Sequence, residues 1–138
     1  MSQNHKQNLS HISSLLKQIS SQMEELFEWY KAVNFKTIKD ALKEALSTPQ
    51  KRVAYELTSP DRSSKEISEA IGKVGLPKVD DSTIRTWQNE WIRVGLARKI
   101  SAYKREKIFS LSDFNIKVEA DLSKIFQQSP NTQEENDR

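Results

Sequence analysis

The most informative segment of the sequence is Asp81-Ser-Thr-Ile-Arg-Thr-Trp-Gln-Asn-Glu-Trp-Ile-Arg-Val-Gly-Leu96. Its apolar residues recur at spacings of three, four and three, at Ile84, Trp87, Trp91 and Val94. This spacing predicts an amphipathic helix with one buried face. Asp81 or Ser82 is placed to cap its first turn, and Gly95 is placed to end it.

Helical patterns also precede this stretch. The first spans Phe35–Leu46, and the second spans Pro49–Leu57 and begins with a proline, which is favoured at a helix start. The third opens with the S-x-x-E sequence from Ser63 to Glu66, which is typical of a capping box. We expect this third helix to end at Gly72 and a connecting loop to follow it.

A short β-hairpin is predicted after the helices. Residues 96–101 and 107–111 have the pattern of two strands, and residues 102–106 form a polar, basic tip between them. The ten residues from Arg98 to Lys107 carry a net charge of +4. A weak helical pattern follows over 118–126, and the polar residues from 127 onward are expected to be disordered.

The order of these elements, together with three segments, resembles the winged helix-turn-helix superfamily of DNA-binding regulators, in the broad style of its ArsR-like and MarR-like groups. The segments are Lys51-Arg-Val-Ala-Tyr-Glu-Leu57, Ser64-Lys-Glu-Ile-Ser-Glu-Ala-Ile-Gly72 and the stretch quoted first. The resemblance implies that the helix from Asp81 reads DNA and that the hairpin is a wing along a flanking groove. Two features depart from the family pattern: the long loop at 73–80 and the two tryptophans.

The residues expected to contact DNA divide into two groups. A reading helix must bury one face and present short polar or forked side chains on the other, where Arg pairs with guanine and Asn with adenine. On the helix these residues are Ser82, Thr83, Arg85, Thr86, Asn89 and Arg93. On the wing they are Lys99, Tyr103, Lys104, Arg105 and Lys107. The same residues are compatible with a merely solvated helix face and with a basic edge strand that prevents edge-to-edge pairing.

A long helix is predicted at the N-terminus, where apolar residues alternate at steps of three and four. This apolar seam consists of Leu9, Ile12, Leu16, Ile19, Met23, Leu26, Tyr30 and Val33. Such a heptad pattern favours pairing with another helix, and we expect a homodimer held by the seam. Packing on the chain's own core is the alternative. The flanking Asn, Ser and Gln residues do not distinguish parallel from antiparallel pairing.

Charge is distributed unevenly along the chain. Residues 48–118 carry a net charge of +5, whereas residues 119–138 carry −3. A basic middle segment with an acidic tail favours a polyanionic partner for the middle, although a solvated surface with chance asymmetry gives the same numbers.

The sequence lacks the residues that several classes of function require. The chain has no cysteine, two histidines and three glycines, so we expect no metal site, no cofactor and no nucleotide-binding glycine loop. No paired nucleophile and base is visible, so we do not expect an enzyme. No apolar run is long enough to span a membrane, and the polar N-terminus lacks a signal-peptide core. A cytoplasmic or nucleoid-associated protein is expected, with any small-molecule effector unidentified.

The sequence thus predicts a mainly α protein with a small β-hairpin wing, in which a long dimerisation helix precedes a winged helix-turn-helix. The expected division is 1–34 for the long helix, 35–118 for the winged domain, and 119–138 for a short helix and disordered acidic tail. The expected function is sequence-specific binding of double-stranded DNA by a dimeric transcription regulator. The alternative is a winged-helix module that binds protein and does not read DNA.

Overall fold

A computed structural model describes residues 2–126, and the predicted disordered tail from residue 127 lies outside them. Within this range the protein is mainly helical with one small antiparallel hairpin, as the sequence predicts. The helices are α1 (Ser2–Val33), α2 (Phe35–Ala45), α3 (Pro49–Leu57), α4 (Ser64–Lys73), α5 (Asp81–Arg93) and α6 (Ser123–Phe126). The hairpin consists of β1 (Ala97–Lys99) and β2 (Arg105–Lys107), and a 3₁₀ helix follows at Leu111–Phe114.

The described residues divide into two compact units between Ile38 and Lys39. The first unit contains the uninterrupted helix α1, and the second contains α3, α4, α5 and the hairpin. The sequence-based division at residues 34 and 118 stays a prediction.

The core of the second unit lies among α3, α4 and α5, where α4 packs against both of the other helices. Each helix contributes fully buried apolar residues, because each turns an apolar face toward the centre. These are Val53, Tyr55 and Leu57 of α3, Ile67 and Ile71 of α4, and Ile84 and Trp91 of α5. The Tyr55 and Trp91 rings meet edge to face, with centroids 5.3 Å apart, a favourable arrangement for aromatic pairs.

Local sequence signals set the starts of the helices. Thr48 caps α3 by accepting a hydrogen bond from the Lys51 backbone N–H at 3.2 Å. The predicted capping box of α4 is confirmed, since Ser63 Oγ accepts from the Glu66 N–H and a Glu66 carboxylate oxygen accepts from the Ser63 N–H. The expected cap of α5 is wrong by one residue or two. Asp80 is the cap, because its backbone is extended and its carbonyl accepts from the Ile84 N–H.

Both α4 and α5 end in a Val-Gly-Leu sequence with the same hydrogen bonds. The N–H of Gly95 donates to the Ile92 carbonyl and the N–H of Leu96 to the Trp91 carbonyl, which is the Schellman pattern. Gly75 ends α4 in the same way, and both glycines have φ +86. The expectation that Gly72 ends α4 is therefore wrong, because a left-handed residue is needed three positions later.

The hairpin exists as predicted, but its strands are shorter and the second comes earlier. Lys99 pairs with Arg105, and the Ile100 N–H donates to the Lys104 carbonyl, so the chain reverses over 100–104. Phe109 then leaves the strand path, and its N–H donates to the Tyr55 hydroxyl at 3.2 Å, while that hydroxyl donates to the Leu96 carbonyl at 2.8 Å. A core side chain therefore fixes both ends of the hairpin, and burial raises the pKa of Tyr55 so that its hydroxyl stays protonated.

The predicted helix over 118–126 is mostly absent. Only Ser123–Phe126 is helical, because the Asp121 carboxylate accepts from the Ser123 N–H and starts the helix there. The preceding residues follow a turn in which the Ala120 N–H donates to the Val118 carbonyl.

Candidate functional site

The exposed face of α5 carries the polar residues that the sequence analysis selected. Because Ile84, Gln88 and Trp91 are buried, the opposite face of the helix is directed to solvent. Four predicted residues lie exposed there: Ser82, Arg85, Thr86 and Asn89. Thr83 is only half-buried.

One hydrogen bond and one ion pair lie on this face. The Thr86 hydroxyl donates to the Ser82 carbonyl at 3.0 Å, and the Arg85 guanidinium lies 4.0 Å from the Asp81 carboxylate. No side-chain hydrogen bond caps the first turn of α5. The start of the helix therefore combines one exposed cation with exposed hydroxyl groups.

A cleft of about 340 Å³ opens beside this face, and we call it the cationic cleft. Three elements form its walls: the start of α4, the face of α5 and the hairpin. Four of its lining residues are cations, namely Arg62, Lys65, Arg85 and Arg105, and one is the carboxylate Asp81. The remaining lining residues are Ser63, Ser64, Gln88 and Tyr103. Charges that lie far apart in the sequence thus converge on one concave surface.

Arg105 connects the hairpin to α5. Its Nη2 donates to Asn89 Oδ1 at 3.2 Å, and its buried Nε has no hydrogen-bond partner within the described residues. A guanidinium has five N–H donors in a fixed plane, so a bond from one nitrogen orients the rest of the group. Two predicted residues, one on the helix and one on the wing, are therefore in direct contact.

The hairpin tip presents the other predicted wing residues to solvent. Lys99 and Lys104 are exposed, and Tyr103 has 89% of its surface accessible. Arg98 and Glu106 face one another across the strands as an ion pair with N···O distances of 2.8–2.9 Å. The net positive charge of the tip therefore comes from residues outside that pair.

Lys107 occupies a different environment. Its Nζ donates to the Glu56 carbonyl at 2.6 Å and lies 3.5 Å from a carboxylate oxygen of Glu56. Its backbone N–H donates to the Thr58 carbonyl. Lys107 thus fixes β2 to the end of α3, and its ammonium is engaged by the protein itself.

Gln88 and Thr58 form a second internal connection. Gln88 Nε2 donates to Thr58 Oγ1 at 3.2 Å, and that hydroxyl donates to the Ala54 carbonyl at 2.7 Å. Both side chains are buried, so these bonds satisfy polar groups that burial would otherwise make costly. Gln88, which the sequence pattern leaves between the two faces, belongs to the core.

Arg93 lies near the other end of α5 and lines a different cavity, of about 490 Å³, together with Trp87, Trp91 and Lys51. It forms a two-pronged ion pair with Glu90, whose pKa is lowered by the hydrogen bond from Arg93. The structure therefore does not bring Arg93 together with the other predicted contacts.

Sequence reasoning missed Arg62 and Lys65 as candidate contacts. Arg62 directly precedes the capping residue Ser63, and Lys65 lies in the first turn of α4, in the segment Arg62-Ser-Ser-Lys-Glu66. A pair of cations beside a helix N-terminus, where anions bind favourably, is the signal that could have identified them.

In the first unit, every residue of the apolar seam is exposed, with 47–65% of its surface accessible. Leu15 and Trp29 beside the seam are also exposed. Within residues 2–38, α1 thus presents a continuous apolar stripe along its length.

Among the residues that the structure describes, no group of three or more His, Asp or Glu side chains could hold a metal ion. None of the described helices combines the length and apolar character that a membrane crossing requires. No family model, curated protein or solved structure matches the chain significantly. The winged helix-turn-helix resemblance therefore rests on the quoted residues and on the order of the elements.

Proposed function

We propose that the protein is a winged helix-turn-helix protein that binds double-stranded DNA as a homodimer and regulates transcription. The observation that carries the proposal is the cationic cleft, in which Arg62, Lys65, Arg85 and Arg105 converge beside the exposed polar face of α5. A concave surface with four cations fits a phosphate backbone, and an adjacent helix with exposed Arg and Asn fits a major groove.

The contacts divide by what they bind. The cleft cations Arg62 and Lys65 and the hairpin residue Lys104 bind phosphates, which positions the protein on the duplex without reading its sequence. Arg85 and Asn89 lie on the exposed face of α5 and bind base edges. The Arg105–Asn89 hydrogen bond holds the hairpin and this face together before DNA arrives.

The order α3, α4, α5 and hairpin supports the winged-helix assignment. In that fold α4 is the helix that crosses the backbone and α5 is the reading helix. Lys107 is an internal anchor of the wing in this proposal, because its ammonium is bonded to Glu56.

The test is a titration of the protein with a fluorescent duplex selected from a random pool and with random duplex, at several salt concentrations. We expect Lys65→Ala to weaken binding to both duplexes by the same factor. It should also reduce the slope of log binding constant against log salt concentration, the salt slope, by about 0.9. Arg85→Ala should cost about 1–3 kcal/mol on the selected duplex and much less on the random one. Lys43→Ala is the matched control, because Lys43 is an exposed cation of α2 that lines neither cavity.

Two results would contradict the proposal. Absence of affinity for any duplex at low salt would favour a module that binds protein. Equal effects of Arg85→Ala and Lys43→Ala would show that the face of α5 does not bind DNA.

A further inference from the structure

The apolar seam of α1 holds enough information to orient its partner. The helix is uninterrupted from Ser2 to Val33, so its heptad positions can be assigned along its whole length. The a positions are Leu9, Leu16, Met23 and Tyr30, and the d positions are Ile12, Ile19, Leu26 and Val33. All eight are exposed in the single chain.

We infer that α1 pairs in an antiparallel orientation with α1 of a second copy of this chain, with the two-fold axis at Ser21. This inference rests on the proposed function only for the consequence for DNA; the pairing itself follows from α1.

The composition of the seam disfavours a parallel dimer. Parallel two-stranded coils prefer β-branched residues at a and Leu at d, whereas Leu at a with Ile at d favours larger bundles. Here Leu16 is at a and the β-branched Ile12 and Ile19 are at d, which is the reverse of the dimer preference. Reversing one helix removes this conflict, because each a residue then faces a d residue of the other copy.

The antiparallel register brings every residue of the seam opposite another. With the axis at Ser21, Leu9 lies opposite Val33 of the second copy and Leu16 lies opposite Leu26. Ile12 lies opposite Tyr30, and Ile19 lies opposite Met23. The seam is thus symmetric about Ser21, so a two-fold axis at this residue leaves no member without an apolar neighbour.

Two of the three exposed apolar residues beside the seam, Leu15 and Trp29, support the same orientation, whereas Phe27 lies opposite a polar residue in either orientation. Leu15 and Trp29 both occupy g positions and are 43% and 61% exposed. In an antiparallel pair the g positions of the two helices face each other, and Leu15 then lies beside Trp29 of the second copy. A parallel pair would place Leu15 beside Ser20 and Trp29 beside Asn34, so both apolar side chains would face polar ones.

Charge complementarity points the same way. Residues 2–18 of α1 carry two lysines and no acid, whereas residues 19–33 carry three glutamates and one lysine. The basic half of one helix therefore lies over the acidic half of the other when the helices run in opposite directions. A parallel pair would place like charges together.

The orientation sets a length that matters for DNA. The two copies of Val33 are 24 positions apart along the pair, which at 1.5 Å per residue is about 36 Å. Half-sites one turn of B-DNA apart have about the same spacing. A parallel pair would instead release both chains at one end.

Cross-linking tests the orientation directly, because the native chain has no cysteine and each variant has a single thiol. Ser20→Cys and Gln22→Cys lie at e and g positions beside the axis. In the antiparallel pair, each of these residues lies opposite the same residue of the second copy. Val33→Cys lies at the end of the seam. Ser21→Cys, which faces away from the seam, is the matched control. The full chain without DNA is treated with a short bis-maleimide, and its mass is measured by sedimentation.

We expect a mass of two chains, efficient cross-linking of Ser20→Cys and Gln22→Cys, and none of Val33→Cys or Ser21→Cys. Cross-linking of Val33→Cys would show a parallel arrangement and overturn the inference. A monomer, a tetramer or failure of both central variants to cross-link would also overturn it. The expected pattern in a protein without DNA affinity would support the pairing while removing the proposed function.

Discussion

Two regions of this molecule have the same apolar periodicity but opposite exposure. In α1 the seam residues repeat at three and four, and each is about half exposed or more. In α4 and α5, residues at equivalent spacings, such as Ile67 with Ile71 and Ile84 with Trp91, are fully buried, although Val94 after α5 is 48% exposed. The comparison shows that periodicity identifies a face that favours burial, whereas the partner that buries it is a property of the fold or of the assembly.

The largest effect is expected from charges placed on the exposed stripe. Ile19→Glu combined with Leu26→Glu should raise the dissociation constant of the dimer at least about 1000-fold. Desolvating each charge costs several kcal/mol, and each 1.4 kcal/mol of lost binding free energy raises the dissociation constant about tenfold. Sedimentation measures this. Ser14→Glu with Ser21→Glu is the matched control, since both lie at f positions and should leave the dimer intact. A monomeric wild-type protein would contradict the prediction.

A substitution in the buried apolar face of α5 should change the stability of the fold and leave the dimer intact. Trp91→Ala removes a fully buried ring that packs on Tyr55, so we expect the free energy of unfolding to fall by about 3–5 kcal/mol. Denaturation in urea, followed by fluorescence of the remaining tryptophans, measures the change. The dimer mass should be unchanged at low denaturant. A loss below about 1 kcal/mol would mean that this core is not packed as described.

A smaller effect should separate two lysines of the hairpin. Lys107→Met breaks the hydrogen bond to the Glu56 carbonyl, so we expect it to cost about 1–2 kcal/mol of stability. Lys104→Met, at an exposed position, should leave stability unchanged and reduce the salt slope of DNA binding by about 0.9. Thermal unfolding and DNA titration of both variants check this. Equal stability of the two variants would show that Lys107 is not an anchor.

The smallest effects should distinguish glycines that end helices from one that does not. Gly95 has φ +86, where a side chain is strained, so Gly95→Ala should cost about 1 kcal/mol. Gly72 lies inside α4 with open space where a Cβ would be, so Gly72→Ala should raise the free energy of unfolding by about 0.5–1 kcal/mol. Thermal unfolding of the two variants measures the direction of each change in stability. Destabilisation by Gly72→Ala would contradict the placement of the end of α4 at Gly75.

Much of the fold follows from local sequence signals. The bounds of α3 are those predicted, since Thr48 and Pro49 act within one turn. The capping box at Ser63 is present for the same reason. Predictions of features that depend on strand pairing were less accurate. The second strand begins at Arg105, two residues before the predicted position, because the chain reversal and the Tyr55 hydrogen bonds set its register.

The candidate site was accessible to sequence reasoning only in part. The exposed face of α5 follows from helical spacing, so Arg85 and Asn89 could be selected directly. Arg62 could not be related to Arg105 by any spacing rule, because their convergence requires α4, α5 and the hairpin to pack together. The internal role of Lys107 depends on Glu56, which is 51 residues away in the chain.

The helical periods, the capping box and the heptad assignment of α1 can be read directly from the amino-acid sequence, because they arise from interactions between residues within a few positions of one another. The packed fold is needed to show which polar residues are buried, such as Gln88 with its hydrogen bond to Thr58, and which cations share a cleft. The physical reason is that burial and electrostatic convergence depend on distances through space. Those distances are fixed by the packing of α3, α4 and α5 around one core.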